Sequence, residues 1–121
     1  MRQLSYLMSK NNLPGIAVFA FNRPNHLKKT LNYLSQNLNA KNFDIYIFSD
    51  GPKKKNDQKK IDKVREVSKK IGKFKSKKFF FQKKNYGLHN SLKYGISKVL
   101  MAKSSIIILE DDIITNKYFL N

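Results

Sequence analysis

The sequence predicts an α/β domain: a three-layer sandwich around a mainly parallel sheet in strand order 3-2-1-4. Two patterns carry that expectation. Short, β-branched or aromatic apolar runs alternate with stretches of helical periodicity from Gly15 onward, which is the rhythm of repeated βαβ units. The last apolar run, Ile106-Ile107-Ile108-Leu109, is uninterrupted, which suits a parallel strand covered on both faces. It ends in three consecutive acids, Glu110, Asp111 and Asp112.

The elements follow in order. Ile16-Ala17-Val18-Phe19-Ala20-Phe21 reads as the first strand, closed by Asn22-Arg23-Pro24, with the proline suited to a helix's first turn. Leu27, Leu31, Leu34 and Leu38 mark one face of that helix. Asp44-Ile45-Tyr46-Ile47-Phe48-Ser49 is the second strand, and Asp50-Gly51-Pro52 is a turn that leaves a carboxylate at its tip. Asn56 or Asp57 is expected to cap the second helix, whose core side is Ile61, Val64, Val67 and Ile71. A short third strand covers 78–82, and Asn85-Tyr86-Gly87 turns the chain into a third helix marked by Leu88, Leu92, Ile96 and Val99.

Composition narrows the class. The 121 residues suit one domain, and neither a linker nor a solenoid repeat interrupts them. Fifteen aromatics, 9 Phe and 6 Tyr, argue for a packed core despite the charge. Cysteine is absent, which excludes disulfides, thiolate metal sites and cysteine nucleophiles. With 25 basic and 8 acidic residues the formal net charge is +17, so phosphates, nucleic acids and anionic lipid are the partners that the surface attracts. The longest purely apolar run, 16–21, is far short of the ~20 residues that span a bilayer, and residues 1–12 lack a signal peptide's apolar core. A cytoplasmic protein is expected, with peripheral attachment to the inner face of an anionic membrane as an additional reading of the lysine-rich stretch 53–84.

Function is read from the strand tips. In an open parallel sheet the ligand crevice lies at the carboxyl ends of the strands that flank an order reversal. The order 3-2-1-4 brings Arg23 beside the acidic triplet, with Asp50 one strand away, and the expectation is that Arg23 and Asp112 border one hollow. Three adjacent carboxylates repel one another unless water, a base or a cation offsets them, which favours a divalent metal; acids at a helix N-terminus are the structural alternative. Arg23 offers a planar fork to phosphate, Asp50 an acceptor to ribose or base, and His89 a further nucleotide contact. A basic nucleic-acid-binding module is the competing reading, motivated by the charge and by the aromatics between 74 and 81. No Gly-X-Gly-X-X-Gly follows Phe21 and no Walker A sequence is present.

The set Ile16-Ala17-Val18-Phe19-Ala20-Phe21-Asn22-Arg23-Pro24, Phe48-Ser49-Asp50-Gly51, Asn85-Tyr86-Gly87-Leu88 and Leu109-Glu110-Asp111-Asp112 resembles the nucleotide-binding half of GT-A glycosyltransferases. Within these it looks most like the branch of N-acetylglucosaminyltransferase I and related bacterial sugar transferases. The resemblance implies a nucleoside-diphosphate sugar as donor, UDP-sugar favoured, and Mn²⁺ or Mg²⁺ as cofactor. A saccharide, a lipid-linked sugar or a protein would be the acceptor. It implies Asp112 as the direct metal ligand, Glu110 and Asp111 in nucleotide and sugar contacts, Arg23 at the diphosphate, Asp50 at the uridine, and His89 near the nucleotide. Enzymes of this type continue past the acidic motif into an acceptor-binding half that carries the general base. The expectation is therefore a truncated donor half over 1–121, with the base lying beyond Asn121.

Overall fold

The computed structural model describes residues 12–121; the signal-peptide reading of the first residues lies outside that range. Strand β1 (Gly15–Ala20) leads into helix α1 (Pro24–Ser35), a single 3₁₀ turn (Ala40–Asn42) and strand β2 (Asp44–Ser49). Helix α2 (Asp57–Lys69), strand β3 (Ser76–Phe81), helix α3 (Leu88–Leu100) and strand β4 (Ile106–Glu110) complete the order. All pairings are parallel and the strand order is β3-β2-β1-β4, as the sequence predicts.

Right-handed crossovers explain the layers. Moving outward from β1 to β2 to β3 lays α1 and α2 on one face. Returning from β3 to the far side of β1 sends α3 across the other. The first face buries Ile16 and Val18 of β1, Ile45 and Ile47 of β2 and Leu109 of β4 against Leu27, Leu31 and Leu34 of α1 and Val64 of α2. The second is aromatic: Phe19 stacks on Phe48 at 5.0 Å between centroids, and Phe48 on Phe80 at 4.8 Å, beneath α3. At the amino end of the sheet Asp44 accepts hydrogen bonds from Lys103 and Ser76, joining the start of β2 to β3 and to the turn before β4. Burial pushes the Asp44 pKa upward, but these two donors, together with the charges of Lys103 and Lys75, outweigh it and leave it below the ordinary value.

Four local expectations are corrected. Leu38 does not continue the face of α1; the helix ends at Ser35 and Leu38 is 63% exposed. Asn37 stops it by turning its side-chain amide back onto the carbonyl of Leu34, the local competition that makes asparagine a helix terminator. Neither Asn56 nor Asp57 caps α2 in the usual way: Asn56 makes no side-chain cap bond, and the Asp57 carboxylate accepts instead from the backbone N–H groups of Lys53 and Lys54. Leu88 is exposed rather than part of α3's core side. Strand β4 is fully covered on one face only: as an edge strand it has Ile106 packed at the margin of the aromatic cluster on the other face, while Ile108 is 42% exposed.

Gly95 allows α3 to approach this closely. A Cβ there would lie 2.5 Å from Phe19 Cζ, and the Phe19 ring is fixed by its stack on Phe48. Gly95→Ala is expected to lower unfolding free energy by about 1–3 kcal/mol, the usual range for overpacking, as measured by urea denaturation.

Candidate functional site

The carboxyl ends of the strands form one row. Register pairs Ala20 with Ser49, Ser49 with Phe81, and Phe19 with Glu110, so the residues that follow each strand emerge together. Between them is a crevice of about 430 Å³, whose walls include Asn22, Arg23, Asp50, Asn85, Glu110 and Asp111. Its position is the reversal point of the sheet, where β1 is flanked by β2 on one side and β4 on the other. A second hollow, about 340 Å³, separates α1 from α2 and carries no strand-tip carboxylate.

Arg23 stands just before α1, and its Nη2 donates to Asp111 Oδ1. The Asp111 side chain is almost fully buried while that of Arg23 is 45% exposed, so one end of the guanidinium is anchored and the rest faces solvent. That hydrogen bond, and then the charge of the same carboxylate, raises the Arg23 pKa above its ordinary value. The acidic turn is fixed from below as well, because Thr30 Oγ1 of α1 donates to the Asp111 carbonyl at 2.9 Å.

Asp112 points elsewhere. Its carboxylate is 3.8 Å from Arg23 Nη2, yet it lines a neighbouring hollow with Asn25, His26 and Lys29 rather than the crevice itself. Asp111 and Asp112 are the middle residues of a turn closed by the Ile113 N–H on the Glu110 carbonyl at 3.3 Å, and the turn directs their side chains to different hollows. The expected common hollow is thus two adjoining ones with Arg23 at their boundary. His89 is exposed on the first turn of α3 and is not part of the crevice wall, although Leu88 beside it is.

Asp50 is the most heavily hydrogen-bonded of the predicted site residues. Its Oδ1 accepts from the N–H groups of Gly51 and Tyr86, each at 2.8 Å. Its Oδ2 accepts from Gly87 N–H at 3.0 Å and Asn85 Nδ2 at 3.2 Å. A carboxylate has about four lone-pair directions, so these protein donors fill it. In this arrangement Asp50 builds the crevice wall, holding the loop between β3 and α3 against the end of β2.

Three contributors were not picked out by sequence reasoning. Arg65 of α2 donates from Nε to Ser49 Oγ at 3.0 Å and from Nη2 to the Gln82 carbonyl at 2.6 Å, with its guanidinium over the Phe81 ring. It clamps the ends of β2 and β3, and burial lowers its pKa despite the nearby charges of Asp62 and Asp50. The available signal was its chemistry: it is the lone arginine in a helix of lysines, and only a planar fork can make several fixed bonds at once. Asp57 accepts from Asn22 Nδ2 at 3.0 Å, tying the turn after β1 to the loop after β2. Ser91 lines the crevice with its Oγ buried and without a hydrogen-bond partner among the described residues, and nothing in the local sequence distinguishes it.

The donor set suits a hard divalent cation held jointly by protein and ligand. Among the described residues no three carboxylate or imidazole groups converge as a ready-made cage. Such an ion is commonly bound by one or two carboxylates plus substrate phosphates, and Asp111 and Asp112 on either side of Arg23 match that division of ligands.

A parallel sheet with its crevice at the reversal point, and an arginine and acids at the strand tips, define a domain of Rossmann-like type. Comparison with protein families identifies which: residues 16–120 match the model described as glycosyl transferase family 2, so the chain belongs to that family. It is a glycosyltransferase domain with a nucleotide-sugar donor. The comparison with curated proteins gives no match. No helix among the described residues is long and apolar enough to cross a membrane.

Two outcomes are expected. Asp50→Ala leaves the N–H groups of Gly51, Tyr86 and Gly87 without their acceptor, and should cost about 2–4 kcal/mol with amide-exchange protection of Tyr86 and Gly87 lost first. The hydrogen bond from Asn22, then those from the backbone of Lys54 and Lys53, lower the Asp57 pKa in the folded protein. A lowered folded value contributes stability above the unfolded pKa of about 3.9 and loses it as pH falls through the folded one. Asp57→Asn should therefore melt earlier than the parent protein at neutral pH, and the gap should close on acidification.

Proposed function

We propose that this domain binds a nucleoside-diphosphate sugar in the crevice between β1, β2 and β4, together with Mn²⁺ or Mg²⁺, for transfer of the sugar to an acceptor hydroxyl. The observation that carries the proposal is the ion pair of Arg23 with Asp111 at the reversal point, beside Asp112. It supplies cationic and anionic groups within one ligand's reach. The exposed side of the Arg23 guanidinium is available to diphosphate oxygens while its Nη2 stays on Asp111. Asp111 and Asp112 are the carboxylates that would hold the cation, with Asp112 the more accessible of the two. The ion's chemistry there would be to offset charge on the departing diphosphate.

The other groups orient the ligand. Glu110 lies at the crevice wall and is exposed, so it can accept from sugar hydroxyls. Ser91 Oγ offers a buried hydroxyl that a nucleotide or a bridging water can satisfy. Asp50 keeps the nucleotide-side wall in position through the four donors it holds. His89, exposed at the start of α3, would meet the nucleotide only at the outer margin. UDP is the preferred nucleotide in this reading, and the Glu110-Asp111-Asp112 triplet is what likens the chain to the N-acetylglucosaminyltransferase I branch. A saccharide, lipid-linked sugar or protein would be the acceptor, in a cytoplasmic setting.

Thermal-shift titration tests the proposal. UDP with Mn²⁺ should raise Tm by about 10 °C at a ligand concentration roughly 100 times Kd, whereas UDP with a chelator should raise it little. Asp112→Ala should remove most of the metal-dependent part. A shift indifferent to both metal and Asp112 would contradict the assignment.

A further inference from the structure

The loops at the carboxyl end of the sheet carry a basic surface that the nucleotide crevice does not account for. Lys53, Lys54 and Lys55 follow β2, Lys83 and Lys84 follow β3, and all five are exposed. The two loops are held in contact. A Cβ at Gly51 would lie 2.5 Å from the Lys84 carbonyl, so only glycine permits the approach, and Asn85 Nδ2 donates to the Gly51 carbonyl at 2.9 Å. Lys59 and Lys60 on the first turns of α2 extend the same stretch. Of the carboxylates nearest in sequence, Asp50 and Asp57 are buried and hydrogen-bonded to loop donors, and only Asp62, exposed and accepting from Gln58 Nε2 at 2.8 Å, stands beside these seven lysines.

We propose that this lysine surface docks the domain on an anionic phospholipid membrane. The residue chemistry favours lipid over nucleic acid. The chain has 22 lysines and 3 arginines, and compact hydrated ammonium groups on flexible stems suit a diffuse sheet of headgroups better than base edges. A single-stranded nucleic acid also needs free aromatic faces. Here Phe80 is stacked on Phe48, Phe81 lies under Arg65 and Phe79 packs against the core. That leaves Tyr86, set edge-on to Tyr94, as the single exposed ring in the loop beside Lys83 and Lys84 and not a row of stacking platforms. Lys53 belongs to both the lysine surface and the crevice wall, so a docked domain would open its crevice beside the headgroups. The docking stands independently of the donor assignment; its consequence, that an acceptor carried by lipid is presented at the crevice, rests on the proposed function.

Vesicle co-sedimentation of the full chain tests the docking, using phosphatidylcholine vesicles with and without about 30% phosphatidylglycerol. Binding is expected only to the anionic vesicles and should be lost at high salt. Each lysine near the surface contributes about fivefold, so the triple variant Lys54→Gln, Lys55→Gln, Lys84→Gln should lower partitioning on the order of 100-fold. The triple Lys41→Gln, Lys73→Gln, Lys75→Gln removes the same charge from the amino end of the sheet and should lower it by less than about tenfold. All six side chains are exposed, and both triples should keep the parent's Tm and its response to UDP with Mn²⁺. Equal weakening by the two triples, equal binding to neutral and anionic vesicles, or no binding to anionic vesicles would each overturn the proposal. A failed UDP response with intact vesicle binding would count against the donor reading alone.

Discussion

Strand β1 is paired on both sides, with β2 along one edge and β4 along the other, and this parallel pairing is the constraint from which the site follows. Residues far apart in sequence become neighbours only because three strands end in register at one level. Arg23 and Asp111, 88 positions apart, meet because each lies just beyond the carboxyl end of one of two adjacent strands. The same reversal sends α3 to the opposite face from α1 and α2, opening the gap that becomes the crevice.

Charge inside the site is balanced by fixed partners rather than by solvent alone. Asp50, only 8% exposed, is held by four donors from two loops; Asp111 is held by Arg23; Asp57 is held by Asn22 and two backbone N–H groups. A buried carboxylate without such partners would be strongly destabilising. The partners therefore set the loop geometry as much as they neutralise charge. Arg65 does the corresponding work with a cation, pinning the ends of β2 and β3 through carbonyl and hydroxyl acceptors. The result is a crevice whose walls are rigid near β2 and β3 and whose exposed polar groups, Arg23 and Glu110, lie towards β4, with Asp112 in the adjoining hollow.

Much of this was legible in the sequence because burial on both faces leaves a local mark. The runs in β1 and β2 are apolar at nearly every position, and both strands are buried throughout or almost so. The strand order followed from the alternation of elements and the handedness of crossovers, and the acids at the end of β4 pointed to the crevice. What the sequence did not reveal depends on neighbours. The composition of Ile106-Ile107-Ile108-Leu109 is the same whether a strand is central or at an edge, so Ile108's exposure was invisible. The leucine spacing runs through Leu38 although Asn37 has already ended the helix. Asp50 at a strand tip reads as a ligand contact, because the donors from Tyr86 and Gly87 come from a loop more than thirty residues away in sequence. The different directions taken by Asp111 and Asp112 are set by the turn from Glu110 to Ile113, which a triplet of acids does not encode.

The central claim is that diphosphate and cation share the junction of β1 and β4, and a crystal of the domain grown with UDP and Mn²⁺ tests it most directly. The account predicts an anomalous manganese peak bound to the carboxylate of Asp111 or Asp112, with diphosphate oxygens on the outer side of the Arg23 guanidinium. A diphosphate seated in the hollow between α1 and α2, or manganese remote from both carboxylates, would contradict it.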